Sequence, residues 1–214
     1  IVVLGSFNMD LVMQAERRPA AGETLQGDFA MHLGGKGFNQ AVAARRLGAD
    51  VAVIGRVGDD EFGRAFLAAL DREGIDARYV TVDAGAGTGV ASIIVEPDGS
   101  NAILQAPRAN RRVAPADIAA ARDAFAGADV AMLQLETSDG AAVAFAQAAR
   151  DAGVTVLLNP APAASVPDAL LALADIIVPN EIEAETLTGT RIASVDDACA
   201  AATALLERGP RAAI

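Results

Sequence analysis

Asn8 and Asp10, two residues apart just beyond an apolar run, suit a ligand rich in hydroxyls. A carboxylate accepts from hydroxyls, and an amide both donates and accepts. Similar groups recur downstream: Glu136 follows the apolar run 130–135, Asn159 follows 154–158, and Asn180 follows 176–178. A different chemistry is suggested by Gly34-Gly35-Lys36-Gly37-Phe38-Asn39-Gln40, which precedes a helical run at 41–47. Glycines that open a helix let backbone amides approach a ligand, and the positive helix end favours an anion. A tight strand-to-helix turn needing positive φ accounts for the same residues. Lys36 is the single lysine among 17 basic residues, a flexible point charge in a chain whose other bases are arginine. The loop is not a Walker A motif, because Gly37 follows the lysine, and no G-x-G-x-x-G stands between a strand and a helix, which counts against a dinucleotide fold.

The elements that position these residues follow a repeated rhythm of short apolar run and amphipathic helix, the pattern of parallel βαβ units. The runs are 1–4, 51–54, 130–135, 154–158 and 176–178. Helices are expected at 61–73 after Asp59-Asp60 and before Gly74, at 115–126 from Pro115, at 138–151 from Ser138, and at 194–208 from Ser194, with a short one between Asn180 and Gly189. In open sheets of this kind ligands bind beyond the carboxyl ends of the strands, where Asn8, Asp10, Glu136, Asn159 and Asn180 all fall. Two regions break the rhythm. Residues 10–33 carry no helix, and 90–95 and 102–105 are strand-like runs joined by Pro97-Asp98-Gly99-Ser100, a hairpin signal. Together they are expected to form a small β-sheet apart from the α/β body, with 84–89 as a hinge.

Composition narrows the function classes. A net charge of −11 disfavours nucleic acid and anionic membranes, while leaving room for a nucleotide whose phosphates meet local amides, lysine or cations. One cysteine, Cys199, rules out a disulfide framework and points to the reducing cytoplasm. It is read as a buried small side chain within its helix. One histidine, His32, and one cysteine cannot build a structural zinc site. No apolar run approaches the ~18 residues of a membrane span. The chain opens without Met in strand pattern and closes on the first residues of another strand, so a fragment of a longer chain is expected.

The motifs Gly5-Ser6-Phe7-Asn8-Met9-Asp10, Gly22-Glu23-Thr24-Leu25, Gly34-Gly35-Lys36-Gly37-Phe38-Asn39-Gln40, Gly55-Arg56-Val57-Gly58-Asp59-Asp60, Leu133-Gln134-Leu135-Glu136, Asn159-Pro160-Ala161-Pro162 and Pro179-Asn180-Glu181-Ile182-Glu183 resemble, in order and spacing, the ribokinase-like (phosphofructokinase B) carbohydrate kinases. The resemblance spans essentially the whole chain. It implies a three-layer α/β/α body (1–9, 34–88 and 106–214) with a mostly parallel sheet, and a β-sheet lid (10–33 and 89–105) that also serves a homodimer. It implies transfer of the ATP γ-phosphoryl group to the primary hydroxyl of D-ribose, with Mg2+ as cofactor and K+ as activator. Fructose, a nucleoside or a related sugar is the alternative substrate, and a non-catalytic sugar-binding homologue is the alternative class. By motif, Asn8, Asp10, Gly34, Gly35, Asn39 and Glu136 would hold the sugar, and Lys36 would neutralise the transferred phosphoryl group. Asn180 would reach the ATP phosphates, and Glu183 would hold magnesium through water. These roles suit phosphoryl transfer, which is largely positioning and charge stabilisation.

Three departures stand out. Phe38 replaces a residue that is usually small, so it either narrows the sugar pocket or packs within its helix. Arg108 stands where a glycine is common before Ala109-Asn110, at the expected lid hinge. The G-A-G-D motif with its aspartate base, the adenine pocket and the monovalent-cation loop have no counterpart in these residues.

Overall fold

The computed structural model describes residues 1–214. In chain order it runs β1 (Val2–Leu4), β2 (Asn8–Gln14), β3 (Asp28–Gly34), α1 (Lys36–Arg46), β4 (Ala52–Gly58), α2 (Glu61–Glu73), β5 (Asp76–Asp83), β6 (Gly89–Val95) and β7 (Asn101–Ala106). A 3-10 turn at Arg108–Arg112 leads to α3 (Pro115–Ala120), β8 (Val130–Leu133), α4 (Asp139–Asp151), β9 (Thr155–Leu158), α5 (Asp168–Leu173), β10 (Ile176–Ile177), α6 (Glu181–Thr188), α7 (Val195–Leu206) and β11 (Ala212–Ala213). A seven-stranded sheet has the order β11-β10-β9-β8-β1-β4-β5, and all its pairings are parallel. A four-stranded sheet, β3-β2-β6-β7, is mixed.

Parallel strands buried on both faces read as unbroken apolar runs, and helices must cover each side. Val3 and its partner Val53 point to one face, where they meet Phe38 of α1 and Phe66 and Leu70 of α2. Leu4 and Ile54 point to the other, against Ile118 of α3, Phe145 of α4 and Leu170 of α5. The helix ends obey local chemistry. Asp60, Ser138, Asn180 and Ser194 each accept an amide hydrogen bond three residues on, and α2 closes on Gly74 at φ 68°.

Several elements differ from the sequence expectation. β5 carries Asp76 and Arg78 on a partly exposed edge, so it lacks the apolar run that marks its neighbours. Helix 115–126 breaks after Ala120 into a 3-10 turn at Arg122–Phe125. α5 has 6 residues, too short to display a period. Cys199 is exposed and not buried, because α7 turns Ala201 and Leu205 to the core.

Candidate active site

Chain order within the large sheet reverses beside β1. The path β1, β4, β5 runs to one edge, and β8, β9, β10, β11 runs to the other. The crevice beyond the carboxyl ends of β1 and β8 is therefore where a ligand is expected. Ser6 follows β1 and Glu136 follows β8, and the Ser6 hydroxyl donates to Glu136 Oε2 at 2.6 Å. The same oxygen accepts from the Lys36 amide at 2.8 Å. Ser6 Oγ in turn accepts from Gly37 N at 3.0 Å, and the Ser6 carbonyl accepts from Phe38 N at 3.1 Å. The free amides that open α1 are thus taken up by a serine and a protein carboxylate, so the anion at this helix end is Glu136 itself. The glycines make this approach possible. Gly35 sits at φ 97°, and a Cβ on Gly37 would lie 2.5 Å from Ser6 N.

The small sheet brings a second set of polar groups to the same place. Asn8 and Asp10 share one face of β2, and Gly34 pairs with Asn8. A Cβ on Gly34 would come within 2.2 Å of Asp10 Oδ2, so the glycine leaves room for that carboxylate. His32 pairs with Asp10 across β3, and on the other side Ala91 of β6 pairs with Asp10 and then with Gln105 of β7. Gln105 Nε2 donates to Glu136 Oε1 at 3.1 Å, tying the small sheet to the end of β8. Burial holds the Asp10 carboxyl above the usual range, with the Glu136 charge adding to the rise and His32 opposing it. Asn8 is 2% exposed, and its Oδ1 accepts from Asn110 Nδ2 at 3.0 Å.

A line of amides continues from this point along the strand ends. Gln134 donates to Gln40 Oε1, Gln40 Nε2 donates to Asn159 Oδ1 at 3.2 Å, and Asn159 Nδ2 donates to the Val178 carbonyl at 2.9 Å. Asn180 follows Val178 by two residues and opens α6 in a reciprocal cap with Glu183. Asn180 Oδ1 accepts from Glu183 N at 2.8 Å, while the Glu183 carboxylate accepts from Asn180 N at 2.9 Å and Nδ2 at 3.1 Å.

The ends of β1 and β8 and the start of β2 thus bring together Asn8, Asp10, Gly34, Gly35, Lys36 and Glu136. Lys36 is half-buried at the first position of α1, and Asn39 is exposed one turn on. Asn180 and Glu183 lie further along the same edge, beyond β9 and β10. Phe38 is not at the pocket. It is buried edge-on against Phe66, ring centroids 5.0 Å apart, and beside Phe7 at 6.3 Å. Arg108 adopts φ 44°, the left-handed conformation that a glycine takes without strain, and its Nη1 donates to the Thr88 carbonyl at 3.2 Å. Sequence reasoning passed over Ser6, Gln40, Gln105, Asn110 and Gln134. All five stand inside or beside segments already singled out, but nothing local gives Asn110 its role, since its partners Phe7 and Asn8 lie more than 100 residues away.

The pfkB family carbohydrate kinase model matches residues 1–214. The chain is 41% identical over 210 residues to a ribokinase of Haemophilus influenzae, covering 98% of this chain and 69% of that protein. It is 40% identical over 211 residues to a ribokinase of Mus musculus, covering 98% of the chain and 65% of the relative. Among solved structures, Arabidopsis thaliana ribokinase complexed with ribose and ATP superposes with a TM-score of 0.87 at 32% identity, covering 98% of this chain and 69% of that one. Giardia lamblia ribokinase gives 0.88 at 31%, covering 99% and 66%. The chain therefore spans about two thirds of the length of these relatives. With the fold, the crevice and these matches in agreement, the chain belongs to the pfkB family of carbohydrate kinases.

Proposed function

We propose that the full-length protein transfers the γ-phosphoryl group of ATP to the primary hydroxyl of D-ribose, giving ribose 5-phosphate. The observation that carries this reading is the row of polar side chains along the strand ends: Asn8 and Asp10, the Ser6–Glu136 pair, the Gln134–Gln40–Asn159 chain that ends on the Val178 carbonyl, and Asn180 two residues on. A polyol and a triphosphate laid end to end need such a line. Asp10 accepts from sugar hydroxyls, Asn8 donates to a sugar oxygen, and Gly34, Gly35 and Asn39 border the same space. Glu136, held by three donors, sets the position of the α1 N-terminus and faces the sugar. The Lys36 ammonium neutralises charge developing on the transferred group. Asn180 lies at the nucleotide end. Ribose and ATP in the related Arabidopsis structure support the pairing of substrates.

Magnesium would supply neutralisation of the ATP phosphates. Glu183 is 4% exposed, and both its oxygens already accept from Asn180, so these residues fit an ion held through water and not one ligated directly. The potassium of this reading is assigned to no residue of 1–214, and neither is the general base. No helix is long and apolar enough to cross a membrane. The single free thiol, exposed on α7, suits the reducing cytoplasm of this reading.

The four-stranded sheet would act as a lid over the sugar and as the seat of a homodimer. One of its faces leaves Phe29 57%, Met31 55% and Leu104 78% exposed, an apolar surface that a second copy would cover. Light scattering should give a dimer mass for the wild type and a monomer mass for Leu104→Asp. For the reaction, the full-length protein is incubated with ATP, Mg2+, K+ and a panel of sugars. Sugar-dependent ADP release, greatest with ribose, is expected, and its absence for every sugar would defeat the reading.

A further inference from the structure

The geometry points to Asn110 as a positioning residue that fixes which atom Asn8 offers to the sugar, an inference that rests on the sugar-binding reading above. Asn110 is fully buried, at the turn that follows β7, and its own amide cannot be turned over. Its Oδ1 accepts from the Phe7 amide at 2.9 Å, and its Nδ2 donates to the Phe7 carbonyl at 2.9 Å. A backbone donor and a backbone acceptor thus specify the two ends of the side chain. The remaining hydrogen on Nδ2 goes to Asn8 Oδ1 at 3.0 Å, which obliges Asn8 to turn its oxygen toward Asn110.

The consequence is an Asn8 Nδ2 that is buried and has no partner within the protein. Leaving a buried amide nitrogen unpaired is unfavourable, so the group calls for an acceptor from outside the chain, which in this reading is a sugar oxygen. It lies on the face of β2 that Asp10 shares. The row therefore presents one donor and one acceptor two residues apart, matched to a polyol that offers an oxygen to Asn8 and a hydroxyl to Asp10. Gly89 admits the arrangement. A Cβ there would lie 2.3 Å from Asn8 Oδ1, 2.5 Å from Asn110 Nδ2 and 2.5 Å from the Phe7 carbonyl oxygen. If Asn8 were free to rotate, its oxygen would face the sugar half the time and repel the acceptor that its nitrogen should bind.

The test is steady-state kinetics of the full-length enzyme carrying Asn110→Asp, alone and in an Asn8→Ala background. Aspartate keeps the size and the acceptor for Phe7 N but removes both donations, and its second oxygen draws the Asn8 NH2 inward, so that Asn8 turns its oxygen toward the sugar. The sugar KM should rise about tenfold to a hundredfold, with the ATP KM unchanged. In the Asn8→Ala background the same substitution should change the sugar KM by less than about twofold, because the residue it positions is gone. An unchanged sugar KM, an equal rise for ATP, or full additivity in the Asn8→Ala background overturns the inference while leaving the sugar kinase intact. Should Asn110→Asp fail to fold, Asn8→Asp decides. It keeps the acceptor for Asn110 and replaces only the outward donor, so a sugar KM like that of the wild type overturns the inference and a comparable rise supports it. Absence of sugar-dependent ADP release in the wild type removes the underlying reading and the inference together.

Discussion

Replacing Glu136 by glutamine tests two parts of the site at once. Its Oε2 takes the Ser6 hydroxyl and the Lys36 amide, and its Oε1 takes Gln105. Glutamine has one oxygen, so with that oxygen toward Ser6 and Lys36 its NH2 faces Gln105, whose exposed amide turns over to accept from it. Hydrogen bonds to a charged acceptor contribute about 1.5–3 kcal/mol and neutral ones about 0.5–1.5 kcal/mol, so each of the three weakens by roughly 1 kcal/mol. Loss of the anion at the α1 N-terminus removes about 0.3–1 kcal/mol more. Relief of desolvation at the half-buried carboxylate offsets part of this, leaving a loss of roughly 2 kcal/mol. For a chain of this size that lowers Tm by roughly 4–8 °C, measured by calorimetry or urea denaturation.

The same substitution moves a pH profile. Ionised Asp10 accepts from a sugar hydroxyl more strongly than the neutral acid does, and its carboxyl is held up by burial and by the Glu136 charge. Removing that charge lets the Asp10 pKa fall, so the acid limb of kcat/KM for the sugar shifts to lower pH. A melt within about 1 °C of the wild type, or an acid limb that moves upward, refutes the reasoning.

Three further outcomes are expected. Phe38→Ala should destabilise by about 3–5 kcal/mol in urea denaturation while leaving the order of preference among sugars unchanged, since the ring packs on Phe66 and Phe7. Arg108→Gly should be more stable than Arg108→Ala by about 1 kcal/mol, because both lose the bond to Thr88 and only the alanine stays strained at φ 44°. Lys36→Met in the full-length protein should lower kcat by roughly 10²–10³ and leave sugar affinity, read by equilibrium titration, within about threefold; a comparable loss of affinity would move the lysine from the phosphoryl group to the sugar.

Whatever depends on near neighbours could be read from residue order. The caps at Asp60, Ser138, Asn180 and Ser194 satisfy amides three residues away, and the apolar runs of β1, β4, β8, β9 and β10 announce strands covered on both sides. Strand ends then mark the edge where Asn8, Asp10, Glu136 and Asn180 stand, whatever the final packing. The direction of a side chain and the identity of a distant partner depend on how the helices dock. Cys199 is exposed because α7 turns another face inward, and Phe38 leaves the pocket because α1 rolls it onto Phe66. Glu136 finds Lys36 across 100 residues and Ser6 across 130, and Asn110 finds Phe7 across 103. No local pattern encodes such pairs, because a buried donor is satisfied by whichever acceptor the packed sheet brings beside it.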